Sequence, residues 1–169
     1  NVVHTERGDL RARVIVGADG VSSVVRKHLE RGAKAKPHRL FMQEIDCPAV
    51  WAGKTQMHYD FSPLMQGVRG YVWVFPVAGN RLNVGIMHYP SVHQSSRQLL
   101  GVLRARLLEL GIVLPKAGAR GWPVWGYEPK GRVGAPGMIV VGDAAGIDAL
   151  TGEGIALAME QAIVGARQI

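Results

Sequence analysis

The chain has 169 residues, of which 47% are hydrophobic and 20% are charged, with a formal net charge of +7. This length and composition indicate a globular chain with a real core, and the absence of a run of about 18 apolar residues excludes a transmembrane helix. The single cysteine, Cys47, excludes an intrachain disulfide and a cysteine-rich metal site, which fits a reducing, cytoplasmic location.

The chain opens on two β-prone segments. Val2-Val3 and the residues from Leu10 to Val16 flank the turn residues 6–9, which predicts a hairpin. The second segment becomes continuously apolar at its end, as expected of a strand that enters a buried parallel sheet. We therefore expect one strand to run from Leu10 to Val16.

This strand ends in a glycine-rich turn with an acidic residue, Gly17-Ala18-Asp19-Gly20. Ser22 or Ser23 is predicted to cap a short helix that continues to about Leu29. Connections of this kind let a ligand approach the backbone and present amide groups at a helix N-terminus. Asp19 and Gly20 are therefore candidate cofactor-binding residues.

Basic residues concentrate in and just beyond this helix, between Arg26 and Arg39. We interpret them mainly as a solvated surface, although such a patch also suits a diphosphate group, an acidic redox protein or a membrane surface. Nucleic acid is not a predicted partner, because aromatic residues are not interleaved with the basic ones and no recognition motif is present.

From residue 37 the pattern changes to successive short strands, which predicts a β-sheet domain with one helix over residues 37–129, between parts of another domain at 1–36 and 130–169. The last two strands are predicted to form a hairpin, because the turn at residues 78–80 is short and contains a glycine. The predicted strands are Leu40–Ile45, Thr55–Phe61, Tyr71–Val77 and Arg81–His88.

Side-chain alternation places three aromatic residues, Tyr71, Trp73 and Phe75, on one face of a strand. One interpretation is a sheet face covered by helices, since aromatic residues are common in cores. The other is the wall of an apolar binding cavity, with Pro76 fixing the backbone where the strand leaves the sheet. Periodicity leaves both open, and the presence of two glycine-rich turns elsewhere in the chain favours the second.

A longer helix is predicted after these strands, from an N-cap at Ser91 to about Leu110, with Gly111 ending it. Residues 122–125 are predicted to form a short edge strand. The apolar stripe of the helix consists of Leu99, Leu103, Leu107 and Leu110.

The last part of the chain repeats the strand, turn and helix arrangement. Met138 to Val141 predicts a buried strand that stops at Gly142, and helix periodicity begins near Gly152, with apolar residues at Ile155, Met159 and Ala162 or Ile163. Open α/β sheets bind ligands at this edge, and two such turns can contact different parts of one extended cofactor. The candidate binding residues are Gly142, Asp143, Ala144, Ala145, Gly146, Gly152, Glu153, Gly154 and Ile155.

Histidines do not indicate a metal site. Among six histidines, only His88 and His93 approach a ligand spacing. Pro90 lies between them and prevents a shared helix, so no metal is predicted.

Both turns resemble a known superfamily. The segment from Gly17 to Gly20 with Ser22 and Arg26 resembles the second fingerprint of FAD-dependent oxidoreductases of the aromatic-hydroxylase superfamily. The segments 142–146 and 152–155 resemble the third fingerprint. Between them, Tyr71-x-Trp73-x-Phe75-Pro76 with Asn83-Val84-Gly85 is similar to the geranylgeranyl reductase branch.

The resemblance implies an α/β (α+β) fold, with a partial FAD-binding Rossmann-like domain and an antiparallel β-sheet substrate domain. It implies that Asp143 bonds a ribityl hydroxyl of the flavin, that the amides at residues 152–154 lie near the pyrimidine edge, and that Asp19 lies near the ribityl and pyrophosphate groups. Tyr71, Trp73 and Phe75 would line the cavity for a prenyl chain.

The implied activity is an FAD-dependent reduction of C=C bonds in prenyl or other apolar substrates by hydride transfer, with NAD(P)H or a small redox protein as electron donor. An FAD-dependent monooxygenase or halogenase is the alternative, and a non-catalytic flavoprotein-like module is a second one. The implied location is cytoplasmic, with peripheral membrane association left open.

The sequence departs from the family in one respect that matters for binding. The Gly-x-Gly-x-x-Gly turn that holds the pyrophosphate in these flavoproteins is absent. We therefore expect the chain to be an internal fragment of a larger enzyme, inactive and weak in FAD binding on its own. Ala149 stands near the place where the family usually has a proline.

Overall fold

A computed structural model describes residues 1–29, 38–89, 94–115, 118–147, 152 and 154–169. The chain divides into two compact units: unit 1 is Asn1–Lys36 with Val124–Ile169, and unit 2 is Pro37–Pro123. The predicted mixed α/β class with antiparallel strands is confirmed. The assignment of a cofactor role to one unit and a substrate role to the other stays a prediction.

Within these ranges, ten strands and three α-helices follow one another. None of the described helices is long and apolar enough to cross a membrane. The strands are β1 Val2–Thr5, β2 Gly8–Arg11, β3 Ile15–Gly17, β4 His38–Asp46, β5 His58–Asp60, β6 Val72–Val77, β7 Arg81–His88, β8 Arg120–Val124, β9 Gly134–Ala135 and β10 Met138–Val140, and the helices are α1 Val24–Leu29, α2 Ser96–Glu109 and α3 Gly154–Ala166.

Unit 1 starts with the predicted hairpin, β1 against β2. The prediction of one continuous strand from Leu10 to Val16 is wrong, because β3 belongs to a different sheet. At the break, Asn1 Nδ2 donates to the carbonyls of Arg13 (2.8 Å) and Gly137 (3.2 Å), and Ile15 N donates to Gly137 O (2.9 Å). These bonds hold the backbone after β2 beside the loop that precedes β10, where β3 begins.

The second sheet of unit 1 has the order β3-β10-β9, with β10 parallel to β3 and antiparallel to β9. Helix α1 packs on it, and Leu29, Val140 and Ala144 form its small buried core. The parallel pair joins residues that are far apart in the sequence, Met138 opposite Ile15 and Val140 opposite Gly17.

Unit 2 is a five-stranded sheet in the order β5-β6-β7-β4-β8. The predicted hairpin between β6 and β7 is confirmed, and its turn contains two residues with positive φ, Gly79 (78°) and Asn80 (56°). The predicted edge strand at 122–125 is present as β8, but it spans residues 120–124 and ends before Trp125. The strand β5 is shorter than predicted, because Asp60 Oδ1 accepts a bond from Ser62 N (2.9 Å) and a 3₁₀ turn starts there.

Helix α2 begins later than predicted. Its N-cap is Ser95, whose Oγ accepts a bond from Gln98 N while Gln98 Oε1 accepts one from Ser95 N, a complete capping box. The predicted cap, Ser91, lies outside the described residues. The end is as predicted: Gly111 has a φ of 75°, and Ile112 N donates to Leu107 O (2.8 Å), as in a Schellman motif.

The main core of unit 2 lies between α2 and one face of the sheet. Leu99, Leu103 and Leu107 are fully buried there, and the Trp51 indole closes the end of the helix by donating to Leu110 O (3.0 Å). The sheet contributes mainly aliphatic side chains, namely Ile45, Val72, Val74, Leu82, Val84 and Ile86.

An ion pair joins β5 to α2. Arg106 Nε donates to Asp60 Oδ2 (2.7 Å), and the two side chains are 22% and 10% exposed. Arg106 also pairs with Glu109 on its own helix. Burial alone would raise the pKa of Asp60, but hydrogen bonds from Ser62 and Arg106 outweigh it and hold that pKa below its ordinary value.

We predict that D60N lowers the free energy of unfolding by about 1–3 kcal/mol at pH 7, because the substitution removes a charge-assisted bond at a nearly buried site. Since the folded-state pKa is depressed, this contribution is present above the unfolded pKa of about 3.9 and is lost as the pH falls through the lower folded value. Urea unfolding at pH 7 and below pH 4 measures the change.

The matched control is E44Q, which removes an exposed ion pair with Arg81. We expect E44Q to change stability by less than about 0.5 kcal/mol. Equal effects of D60N at both pH values would contradict the ionic interpretation.

Candidate functional site

The two glycine-rich turns of unit 1 meet at one edge of its sheet. Gly17 is opposite Val140 in the parallel pair, and Val141 N donates to Gly17 O (3.0 Å). Both strands therefore end side by side, and the turns at 17–20 and 142–146 leave them in the same direction. This is the edge at which open parallel sheets bind ligands.

The first turn is fixed by the start of α1. Asp19 Oδ2 accepts a bond from Val24 N (2.8 Å), and Ser23 Oγ accepts one from Arg26 N (2.9 Å), which confirms Ser23 as the helix cap. Partial burial opposes ionisation of Asp19, but bonds from Ser23 and from backbone amides hold its pKa below the ordinary value. Asp19 is thus an ionised carboxylate that already has a structural task.

Glycine is required at two places in this turn for different reasons. A Cβ on Gly17 would lie 2.7 Å from Val25 Cβ and 2.9 Å from Val140 Cγ1, so its absence lets α1 pack closely on the sheet. Gly20 has a φ of 71°, and the space where a Cβ would stand is open. A ligand can therefore approach the backbone at Gly20.

The second turn is a short 3₁₀ turn, Gly142–Ala144, that is closed by backbone bonds. Ala145 N donates to Gly142 O (2.8 Å), and Gly146 N donates to Asp143 O (3.2 Å). Gly142 N donates to Gln161 Oε1 (2.9 Å) on α3. The sequence prediction missed Gln161, which ties the turn to the helix that follows it.

Asp143 lies at the start of α3. Its Oδ1 is 3.6 Å from the place where a Cβ on Gly154 would stand, and the residue is exposed. The first amides of a helix have no intrahelical partner and carry partial positive charge. An accessible carboxylate and the first amides of α3 thus lie close together, and Gly152, which precedes them, has a φ of 76°. Glu153, Thr151 and Ala149 lie outside the described residues.

Helix α3 is confirmed, but it does not face the sheet with the apolar residues that predicted it. Ile155, Met159 and Ile163 are 78%, 64% and 55% exposed. The inward face contains small residues instead, and a Cβ on Gly165 would lie 2.9 Å from Ile139 Cδ1. An apolar groove of about 550 Å³ runs beside this contact, with Ile139, Val141, Ile147, Leu157 and Val164 in its lining.

In unit 2, the aromatic residues share one face of β6, as predicted. Tyr71 and Trp73 are each 5% exposed, while Val72 and Val74 face α2 from the other side. The ring centroids of Trp73 lie 5.9 Å from Tyr71 and 6.1 Å from Phe75. The sheet face that carries these rings is therefore the one opposite to α2.

The aromatic surface is larger than the sequence indicated. The Tyr59 ring lies 5.5 Å from that of Tyr71 and 5.0 Å from that of Phe75, and Phe61 lies 5.4 Å from Tyr71. Periodicity within one strand could not show them, because they come from β5 and the residue after it. We call Tyr59, Phe61, Tyr71, Trp73 and Phe75 the aromatic face.

Asn83 and Gly85 hold the central ring of this face. Trp73 Nε1 donates to Asn83 Oδ1 (2.8 Å) on the neighbouring strand. A Cβ on Gly85 would lie 2.1 Å from Cζ2 of Trp73 and 2.5 Å from Phe41 O. The expectation that the strand leaves the sheet at Pro76 is wrong, because Pro76 lies inside β6 and pairs with Leu82 of β7. It stands beyond the part of β6 that pairs with β5, where a missing N–H costs nothing on that side.

No protein-family model matches the chain. It is 32% identical over 168 residues to the digeranylgeranylglycerophospholipid reductase of Methanocaldococcus jannaschii, covering 92% of this chain and 40% of that protein. It is 35% identical over 156 residues to digeranylgeranylglycerophospholipid reductase 2 of Methanothermobacter thermautotrophicus, covering 90% and 39%. The chain thus spans about 40% of the length of these curated relatives.

Solved structures show the same fold. A geranylgeranyl bacteriochlorophyll reductase-like protein of Thermoplasma acidophilum aligns with a TM-score of 0.70 and 25% identity, over 94% of this chain and 41% of that one. The flavin-dependent halogenase CmlS aligns with a TM-score of 0.68 and 18% identity, over 98% and 32%. Klebsiella pneumoniae HpxO, complexed with FAD and uric acid, aligns with a TM-score of 0.66 and 18% identity, over 96% and 44%.

The chain therefore has the fold of the flavoproteins found among these structures. Within that class, its resemblance to the geranylgeranyl reductase family, which the two turns and the aromatic strand predicted, is confirmed.

We predict that G85A destabilises the chain by about 1–3 kcal/mol, because the added Cβ overlaps a backbone oxygen and the ring of Trp73. Urea unfolding measures the loss, and near-ultraviolet circular dichroism reports the displaced indole. The control is G101A on α2, where a Cβ meets no atom within 4 Å and alanine favours the helix by about 0.5–1 kcal/mol. A G85A protein as stable as the parent would refute this account of the Asn83-Gly85 pair.

Proposed function

We propose that the complete protein is an FAD-dependent oxidoreductase that reduces carbon–carbon double bonds in prenyl or other apolar substrates. The observation that carries the proposal is the meeting of two glycine-rich turns at one sheet edge, with exposed Asp143 beside the start of α3. The identity of 30% or more to reductases of prenyl phospholipids supports the choice of reaction class.

The residues of unit 1 fit such a cofactor. Asp143 offers an exposed carboxylate that can accept a bond from a ribityl hydroxyl, a charge-assisted contact. Gly20 offers an open stretch of backbone, and Asp19 keeps that turn in place because it is already bonded to Val24 N. The turn formed by Gly142, Ala144, Ala145, Gly146 and Gly152 completes the surface that we assign to the flavin.

The start of α3 supplies the electrostatic part of the proposal. Its first amides, at Gly154 and Ile155, can bond the pyrimidine edge of the flavin ring. We assign Glu153 to the same contact, although it lies outside the described residues. Negative charge accumulates on that edge when a flavin is reduced, so a helix N-terminus favours the reduced state. When bound and reduced, FAD would supply the hydride for the substrate.

Unit 2 supplies aromatic side chains of the right chemistry for a prenyl chain: Tyr59 and Phe61 are 36% and 51% exposed, and Tyr71 and Trp73 are buried beside them. We assign substrate binding to Tyr71, Trp73, Phe75 and Pro76, extended by Tyr59 and Phe61. The assignment of substrate binding to the aromatic face is supported because α2 packs on the opposite side of the sheet. Each methylene that such a surface removes from water contributes about 0.8 kcal/mol, so binding should strengthen with the length of the chain.

The rival activity is that of an FAD-dependent monooxygenase or halogenase. Proteins of both kinds share the fold, but they are 24% identical or less to this chain. The reductases of Methanocaldococcus jannaschii and Methanothermobacter thermautotrophicus are 32% and 35% identical, which favours reduction. NAD(P)H and a small redox protein are the two candidate electron donors. A cytoplasmic location with peripheral association to a membrane would suit an enzyme that acts on a prenyl lipid.

We predict that D143A weakens FAD binding by the complete protein about tenfold to hundredfold, because a bond to a charged acceptor is lost. Quenching of flavin fluorescence on titration measures the dissociation constant. The control is D46N, which changes an exposed aspartate of unit 2 and should leave binding unchanged. A parent protein that takes up no FAD would refute the proposed function, and equal affinities of parent and D143A would refute the role of Asp143.

We predict that a prenyl lipid reoxidises the reduced flavoprotein without oxygen. One alkene carbon receives the hydride and the other receives a proton, so the product gains two hydrogens for each flavin oxidised. Absorbance of the flavin under anaerobic conditions and mass spectrometry of the lipid measure this, with the fully saturated lipid as control. Substrate-stimulated oxygen uptake that yields a hydroxylated or halogenated product would instead establish the rival activity.

A further inference from the structure

We propose that Trp125 is a positioning residue that couples the two glycine-rich turns of unit 1 to each other. No motif pointed to this tryptophan, because it lies in an irregular segment far from both turns in the sequence. The importance of the coupling for a ligand rests on the proposed function, in which both turns hold one cofactor. The coupling itself rests only on contacts within unit 1.

The indole of Trp125 holds the first turn. Its Nε1 donates to Val21 O at 2.6 Å, across 104 positions of the sequence. The guanidinium of Arg26 lies over the same ring, with Cζ 3.7 Å from the centroid, and its Nη2 donates to Val21 O at 3.1 Å. Arg26 is 4% exposed, so this cation–π contact is largely removed from water. Such contacts are stronger when they are desolvated.

The backbone of the same segment holds the second turn. Gly146 is buried and has a φ of 70°. A Cβ at this position would lie 2.9 Å from Gly126 O and 3.3 Å from Trp125 Cβ. Residues 125 and 126 therefore pack directly against the turn that carries Asp143, while the ring of Trp125 is bonded to the turn that carries Asp19.

The dipeptide Trp125-Gly126 thus contacts both loops and adds a second connection to the one made by the paired strands β3 and β10. Sites that bind one extended ligand at two points need those points held within about 0.5 Å of the productive geometry. A rigid indole with two rotatable bonds suits this task. If Trp125 couples the turns, a disturbance of either must loosen the other, because coupling free energies are reciprocal.

Hydrogen exchange of single amides tests the coupling without any cofactor. W125F keeps an aromatic ring for Arg26 but loses the Nε1 donor, and G146A disturbs the other turn by placing a Cβ against Gly126 O. We expect W125F to speed exchange at Ala145 and Gly146, and G146A to speed exchange at Ser23 and Val24, each about fivefold or more. The control is W122F, an exposed tryptophan of unit 2, which should change neither turn.

Faster exchange confined to the turn that was altered would overturn the coupling. Val140 N bonds Val133 O inside the sheet and serves as an internal control. If W125F also speeds exchange at Val140, the substitution loosens the whole unit. In that case the effect of G146A on Ser23 and Val24 decides whether the turns are coupled. A titration with FAD on the complete protein separates the two proposals. If the turns are coupled but the complete protein binds no FAD, the role of Trp125 stands and the proposed function is refuted. If the protein binds FAD but the turns are not coupled, the role of Trp125 is refuted.

Discussion

The structure of unit 1 depends on the parallel pairing of β3 with β10. Because Ile15 lies opposite Met138 and Gly17 opposite Val140, two segments from opposite ends of the chain finish at the same level. Parallel strands cannot be joined by a tight turn, so a long connection between them is unavoidable. Here that connection includes the whole of unit 2, and the pairing returns the chain to the sheet that it left.

Small residues set the distances between neighbouring layers in both units. At Gly17 the missing Cβ lets α1 approach the sheet, and at Gly165 it lets α3 approach Ile139. In unit 2, Gly85 leaves room for the indole of Trp73. Since interiors are packed as densely as crystals, one methyl group at such a place cannot be absorbed without moving a neighbour. The positions of α1, α3 and the Trp73 indole thus depend on glycines that leave room for them.

Features encoded in adjacent residues were predictable. The β6–β7 hairpin, the Ser23 cap and the end of α2 at Gly111 each follow from a turn or capping pattern a few residues long. Features that depend on distant contacts were not. The break after β2 depends on the pairing of β3 with the distant strand β10, and the membership of Tyr59 and Phe61 in the aromatic face depends on the pairing of β5 with β6. The candidate binding residues were assigned from their fingerprints, and that assignment stays a prediction, whereas Gln161 and Trp125 carry no local pattern.

Helix α3 reverses the usual relation between residue size and tolerance to substitution. Its large apolar side chains, such as Ile155 and Met159, point away from the sheet, whereas Gly154 and Gly165 lie against Asp143, Ile147 and Ile139. A polar replacement at Ile155 or Met159 removes little buried surface within unit 1, whereas a Cβ on Gly165 would lie 2.9 Å from Ile139 Cδ1 and requires that side chain or the helix to shift. Within unit 1, we therefore expect substitutions at Gly165 to be tolerated less well than substitutions at Ile155, the opposite of the pattern from which buried helix faces are ordinarily recognised.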